Sequence, residues 1–265
     1  MKRLSLPLMT AVGLMGMPAL TACGSGSTDS ATSASAAMTP SASSTPSPSS
    51  TLSGTVTVLA AASLTESFTA LEKSFEAANP GVDVTISFGS SATLAQQIAQ
   101  GAPADLYASA GTKALDQLPA EAKAKPTTTL AKNVLEIATP PGNPKKVTGL
   151  ASLADASTNV VLCAETVPCG SAADAVLTKA AVTAHVVSRE VDVKATLAKI
   201  TLGEADAAIV YHSDVVAAGS KVEGVEIPAA QNTTLAYPLV RLTDTAATKA
   251  FADLLASAAG LKELE

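Results

Sequence analysis

Apolar and polar positions begin to alternate at Thr55. The segment TVTVLAAA predicts a strand, and LTESFTALEKSFEAAN after it places Leu64, Phe68, Leu71 and Phe75 at helical spacing. Pro80 and Gly81 close that helix. VDVTISFG predicts a second strand, TLAQQIAQ a short helix ended by Gly101, and DLYASA a third strand. After a loop of charged and small residues the pattern restarts at Val134. There VLEIATP and NVVLCAE read as strands, Gly170 to about Ala181 as a helix, VVSREV as a strand, DVKATLAKITLG as a helix and AAIVYHS as a strand. TTLAYPLVRL, from Thr233 to Leu242, reads as one long extended segment, and a final helix covers about 246–257. Strands alternating with helices predict an α/β fold with mainly parallel sheets. An early block, a middle block and a late return predict two lobes joined by two crossover strands. On this reading residues 54–132 with 234–265 form lobe I, and 133–233 form lobe II.

The N-terminal stretch follows a different logic. Lys2 and Arg3 precede LPLMTAVGLMGMPAL, an apolar run too short and too broken for a membrane span. Residues 1–22 read as a secretory signal peptide. LTAC, ending at Cys23, resembles the lipobox of bacterial lipoproteins, which implies a lipidated Cys23 holding an exported chain on the outer face of the cell membrane. Residues 23–53 are Ser, Thr, Ala and Pro with little else, a composition that buries too little apolar area to offset its ordering entropy. A disordered tether is expected there.

Composition narrows the function. The chain has 265 residues, 47% hydrophobic and 3% aromatic, with a formal net charge of -6. No Lys/Arg run follows the first few residues, which argues against nucleic acid as a partner. An exported chain permits disulfides, and CAETVPC brings Cys163 and Cys169 close. Neither His185 nor His212 stands at a metal-ligand spacing from them. A structural disulfide is expected, with free thiols as the alternative.

Candidate chemistry gathers where strands run into helices. Ser63 with Glu66 reads as a capping box, so on spacing alone Ser63 is an N-cap. Ser90 and Ser91 stand at a second junction, Cys169, Gly170 and Ser171 at a third, and Asp192 and Val193 at a fourth. Tyr211 ends a strand. In a parallel α/β fold such junctions share the carboxyl edge of the sheet, where ligands bind. Converging helix N-termini bind an anion without Lys or Arg. The bland alternatives are ordinary caps and turns, and a half-buried tyrosine.

AAASLT, FGSSATLAQQI and GAPADLYASA, followed in order by VPCG, DVKATL and AAIVYHSD, resemble the molybdate-binding proteins of ATP-driven importers over most of 55–242. That resemblance implies a two-lobed type II periplasmic binding protein with an anion held in the cleft. It also implies the donors: the hydroxyls of Ser63, Ser91 and Tyr211, and the N–H groups near Cys169 and Val193. The family often carries a third hydroxyl where this chain has Ala92, and commonly alanine where it has Cys169. The implied ligand is molybdate or tungstate, with no cofactor and molybdenum present only within its oxyanion. The implied partners are a membrane permease and its ATPase, served by a monomer.

All these groups donate hydrogen bonds and none is an obligate acceptor. Hydrogen phosphate needs an acceptor; molybdate, tungstate and sulfate do not. Sulfate or another small anion therefore stays open as the alternative ligand. Asp105 reads as a lobe-stabilising carboxylate, and His185 and His212 as surface histidines. A secreted serine hydrolase is disfavoured, since neither Ser63 nor Ser91 stands in a Gly-x-Ser-x-Gly elbow.

Overall fold

The computed structural model describes residues 52–257 and residue 260. The signal peptide, Cys23 and nearly all of the expected tether lie outside the described residues. Leu52 already packs against the core, so the ordered chain reaches slightly into the stretch expected to be tether.

Strand β1 (Gly54–Ala61) pairs in parallel with β2 (Val82–Gly89) on one side and β3 (Leu106–Ala108) on the other. Its second half is buried residue after residue, because helices cover both faces of the sheet. Helix α1 (Thr65–Ala78) buries Phe68, Leu71 and Phe75, and Phe75 meets Phe251 with ring centroids 5.0 Å apart. Helix α2 (Ser91–Ala99) follows β2, and the single turn α3 (Ala120–Lys123) comes after β3.

Strand β4 (Thr127–Thr139) is one 13-residue strand, and the segment expected from Val134 is its second half. The polar Thr-rich start of β4 breaks no backbone pairing, since β9 (Thr234–Arg241) lies antiparallel along it from Thr127 to Val134. Beyond that point β4 pairs instead with β7 (Ala207–Tyr211) and β8 (Glu223–Glu226). The second sheet continues through β5 (Val160–Cys163) to β6 (Val186–Glu190), with β5 parallel to both β6 and β7. Its helices are α4 (Pro168–Lys179), α5 (Val193–Thr201) and α6 (His212–Ala218), and α7 (Ala246–Ala256) returns to the first sheet. Strand β8 and helix α6 were absent from the sequence expectation. Helix α6 begins on the residue after β7 ends, with no turn signal between them.

This connectivity points the carboxyl ends of β1 and β2 and those of β5 and β7 at one region. Asp105 steadies one side of it: its carboxylate accepts from the N–H of Thr57 at 2.8 Å and from the hydroxyl of Thr243. No described helix is long and apolar enough to cross a membrane.

Candidate functional site

Ser63, Ser91, Cys169, Val193 and Tyr211 line a single cavity, together with Ala61, Ala62, Ser90, Pro168 and Asp192. Its volume is only ≈ 20 Å³, far below the about 300 Å³ of the smaller organic ligand sites, so it suits nothing larger than a small ion. The starts of α2, α4 and α5 meet there, and the first N–H groups of a helix have no partner within the helix. A wider groove of ≈ 200 Å³ lies on the other side of Ser63 and Tyr237, and no start of α2, α4 or α5 reaches it.

The hydroxyls differ in what holds them. Ser91 is buried, and its Oγ accepts from the N–H of Ala110 at 3.0 Å, which leaves its proton for the cavity. The Tyr107 hydroxyl donates to the Ser91 carbonyl at 2.7 Å and fixes the first turn of α2. Burial pushes the Tyr107 phenol up to about 12. Tyr211 is 1% exposed, and its hydroxyl has no hydrogen-bond partner. A buried polar group without a partner is costly and calls for an explanation. Burial, then Tyr237 and Asp214, push the Tyr211 phenol well above the usual tyrosine range, so it stays protonated.

Ser63 departs from the expected cap. A 3₁₀ turn, Ala62–Leu64, intervenes between β1 and α1, and Leu64 becomes the N-cap. The Ser63 Oγ therefore cannot reach the third N–H of α1 and lies instead 3.0 Å from the Tyr237 hydroxyl. Glu66, the expected other half of the box, binds Lys194 at 2.7 and 2.9 Å. Ser90, named with Ser91 at that junction but not among the implied donors, has its Oγ buried without a partner on the cavity wall. The pair GSS before a helix was the available signal, and it named both serines.

Among the described residues no Lys or Arg lines the cavity. Lys194, one residue past Val193, turns away to Glu66 and to Asp214 at 3.1 Å. Its own burial opposes the charge, but Asp214 and Glu66 outweigh it and raise the ammonium above its ordinary range. Among the described residues Asp192 is the one ionisable wall residue apart from Tyr211, and its Oδ1 accepts from the N–H of Ala195 at 2.9 Å. The positive end of the site is thus backbone.

Cys163 and Cys169 form a disulfide with Cα atoms 5.7 Å apart, tying the end of β5 to the first turn of α4. Gly170 makes that approach possible: a Cβ there would lie 1.9 Å from the Ala164 carbonyl oxygen. Closing so short a loop restricts the unfolded chain by about 2 kcal/mol. Reduction, or replacement of both cysteines by Ser, is expected to lower the melting temperature by about 4–8 °C, read by calorimetry with and without reductant.

His212 pairs with Glu136 on the surface and His185 contacts the Thr158 carbonyl; neither lines the cavity. Among the described residues no group of three or more His, Cys, Asp or Glu is placed to hold a metal ion.

Residues 56–265 match the family of bacterial extracellular solute-binding proteins. The chain is 36% identical over 258 residues to the molybdate-binding protein ModA of Mycobacterium tuberculosis, covering 96% of this chain and 94% of that one. Among solved structures it is 31% identical to the substrate-binding domain assigned to a molybdenum ABC transporter of Clostridium difficile, with a TM-score of 0.59 over 79% of this chain and 95% of that one. The sulfate-binding protein SubI of Mycobacterium tuberculosis shares the fold at 21% identity, with a TM-score of 0.67 over 79% and 84% of the two chains. The architecture is that of the two-lobed type II binding proteins, and it does not by itself choose an anion. With its helix starts converging on one small cavity and this match over most of its length, the chain belongs to the bacterial extracellular solute-binding proteins.

Proposed function

We propose that this chain captures molybdate, and tungstate with it, in the cavity between its two sheets and delivers the anion to an ABC permease and its ATPase. The observation that carries the reading is the buried, unpartnered hydroxyl of Tyr211, set in a wall of hydroxyls and helix N–H groups with one carboxylate, Asp192, and no Lys or Arg among the described residues. An acceptor-only dianion completes the donors of that wall. The identity to molybdate-binding relatives supports the choice of metal oxyanion over sulfate.

The donors in this proposal are the hydroxyls of Ser63, Ser91 and Tyr211 and the N–H groups at Cys169 and Val193. Lobe I consists of 54–132 with 234–265 and lobe II of 133–233, so β4 crosses between them and the chain returns to lobe I where β9 begins. Export through the signal peptide at 1–22 and lipidation at Cys23 hold the receptor beside its permease. Affinity comes from preorganised donors in a dry cleft, and lobe closure reports occupancy.

A thermal-shift panel tests the reading, with the full chain and millimolar molybdate, tungstate, sulfate or phosphate. A ligand at about 1,000 times its dissociation constant stabilises by about 4 kcal/mol, or about 8–16 °C here. Large shifts with molybdate and tungstate are expected, and little with phosphate. A shift with sulfate alone would move the protein to a different substrate.

A further inference from the structure

Ser63 has a hydroxyl that could give or take a proton, and two residues outside the cavity decide which. Asn133 lies on β4 and Tyr237 on β9. The Asn133 Oδ1 accepts from the N–H of Val134 at 2.9 Å, which orients the amide. Its Nδ2 therefore faces the Ser213 Oγ at 2.7 Å and the Tyr237 hydroxyl at 3.3 Å. An amide nitrogen only donates, so the Tyr237 oxygen accepts there. Tyr237 is 2% exposed, and its phenolic proton has the Ser63 Oγ as its partner at 3.0 Å. Ser63 then accepts from Tyr237 and has its own proton left for the cavity it lines.

We propose that Asn133 and Tyr237 are positioning residues that fix Ser63 as a one-way donor and thereby make the cavity reject oxyanions that carry a proton. The inference rests on the oxyanion reading of the cavity and adds the origin of its selectivity. Ser91 is polarised in the same sense by the Ala110 N–H, and Tyr211 is a neutral phenol. Hydrogen phosphate must direct its O–H at an acceptor, and with Ser63 and Ser91 turned as donors the acceptors left on the wall are Asp192, whose Oδ1 is already bonded to the Ala195 N–H, and Ser90. Molybdate presents four acceptors and no proton. The two ions carry the same charge, so their discrimination is a matter of hydrogen-bond polarity and size rather than net electrostatics.

The test measures molybdate binding to the full chain by calorimetry at mildly alkaline pH, where phosphate is the hydrogen phosphate dianion, and phosphate binding by competition against it. Tyr237→Phe removes the proton given to Ser63. Asn133→Asp supplies an acceptor, so Tyr237 donates backwards and Ser63 follows, turning a lone pair into the cavity. Molybdate affinity is expected to fall about tenfold in each variant. The ratio of molybdate to phosphate affinity is expected to narrow at least tenfold, most in Asn133→Asp. The charge that Asn133→Asp adds repels both dianions and cancels in that ratio. Equal weakening of both anions, unchanged binding, or no phosphate competition in either variant would overturn the relay while leaving the molybdate reading intact. Failure of the unaltered chain to bind molybdate would overturn both.

Discussion

Replacing Ser63 by Ala and Tyr211 by Phe together is expected to weaken molybdate binding by at least about 100-fold. A hydrogen bond to a charged partner contributes about 1.5–3 kcal/mol, so two lost donors amount to about 3–6 kcal/mol. The two substitutions differ in the unliganded chain. Ser63→Ala breaks the contact with Tyr237 and costs about 1 kcal/mol of stability. Tyr211→Phe removes a buried hydroxyl that has no partner, so the empty protein should be as stable as the parent or more so. Calorimetric binding and urea unfolding of the three variants check both halves. Unchanged affinity in the double variant would remove the cavity as the binding site. A clear loss of empty-state stability in Tyr211→Phe would mean that its hydroxyl already has a partner.

The second large effect is expected at Lys194. This side chain reaches from α5 to Glu66 on α1 and to the fully buried Asp214 on α6. Lys194→Met leaves the Asp214 carboxylate buried without its cation and should cost about 3–5 kcal/mol, with Asp214→Asn in the same chain restoring most of it. Asp214 also gives a pH signature. Burial is the main cause that raises its carboxyl from 3.8 to about 6, against the pull of Lys194 and the Tyr211 N–H. The folded chain therefore holds a proton there that the unfolded chain has already released. Stability from this group is full below 3.8 and is lost as the pH rises through about 6. Between about pH 4 and pH 7 the parent should lose about 2 kcal/mol relative to Asp214→Asn. Urea unfolding of both proteins at the two pH values measures the difference; a constant gap would show that Asp214 does not titrate in that window.

What could be read from the sequence was local. The apolar run of β1, the spacing of Phe68, Leu71 and Phe75, and the polar residues at each strand-to-helix junction all carry their signal within a few positions. They placed the α/β class, while the five proposed ligands came from the family resemblance, and the structure sets those five residues around one cavity. Ser63 shows the limit of spacing. Ser-x-x-Glu is a cap only if the helix starts on the next residue, and an intervening 3₁₀ turn sends both side chains elsewhere. The contacts that polarise the site were out of reach for the same reason. Ser63 and Tyr237 stand 174 residues apart, and Glu66 and Lys194 stand 128 apart. TTLAYPLVRL announces an extended segment, but nothing within it says that one tyrosine will face a serine from the other end of the chain.

The two connections between the sheets are not independent tethers. From Thr127 to Val134, β4 is hydrogen-bonded along β9, with its register slipping once between Thr129 and Ala131. Asn133 and Tyr237 stand on that two-stranded ribbon, one on each strand. Under the proposal above, any twist of the ribbon would act on the contact between Asn133 and Tyr237, and through it on the proton that Ser63 offers.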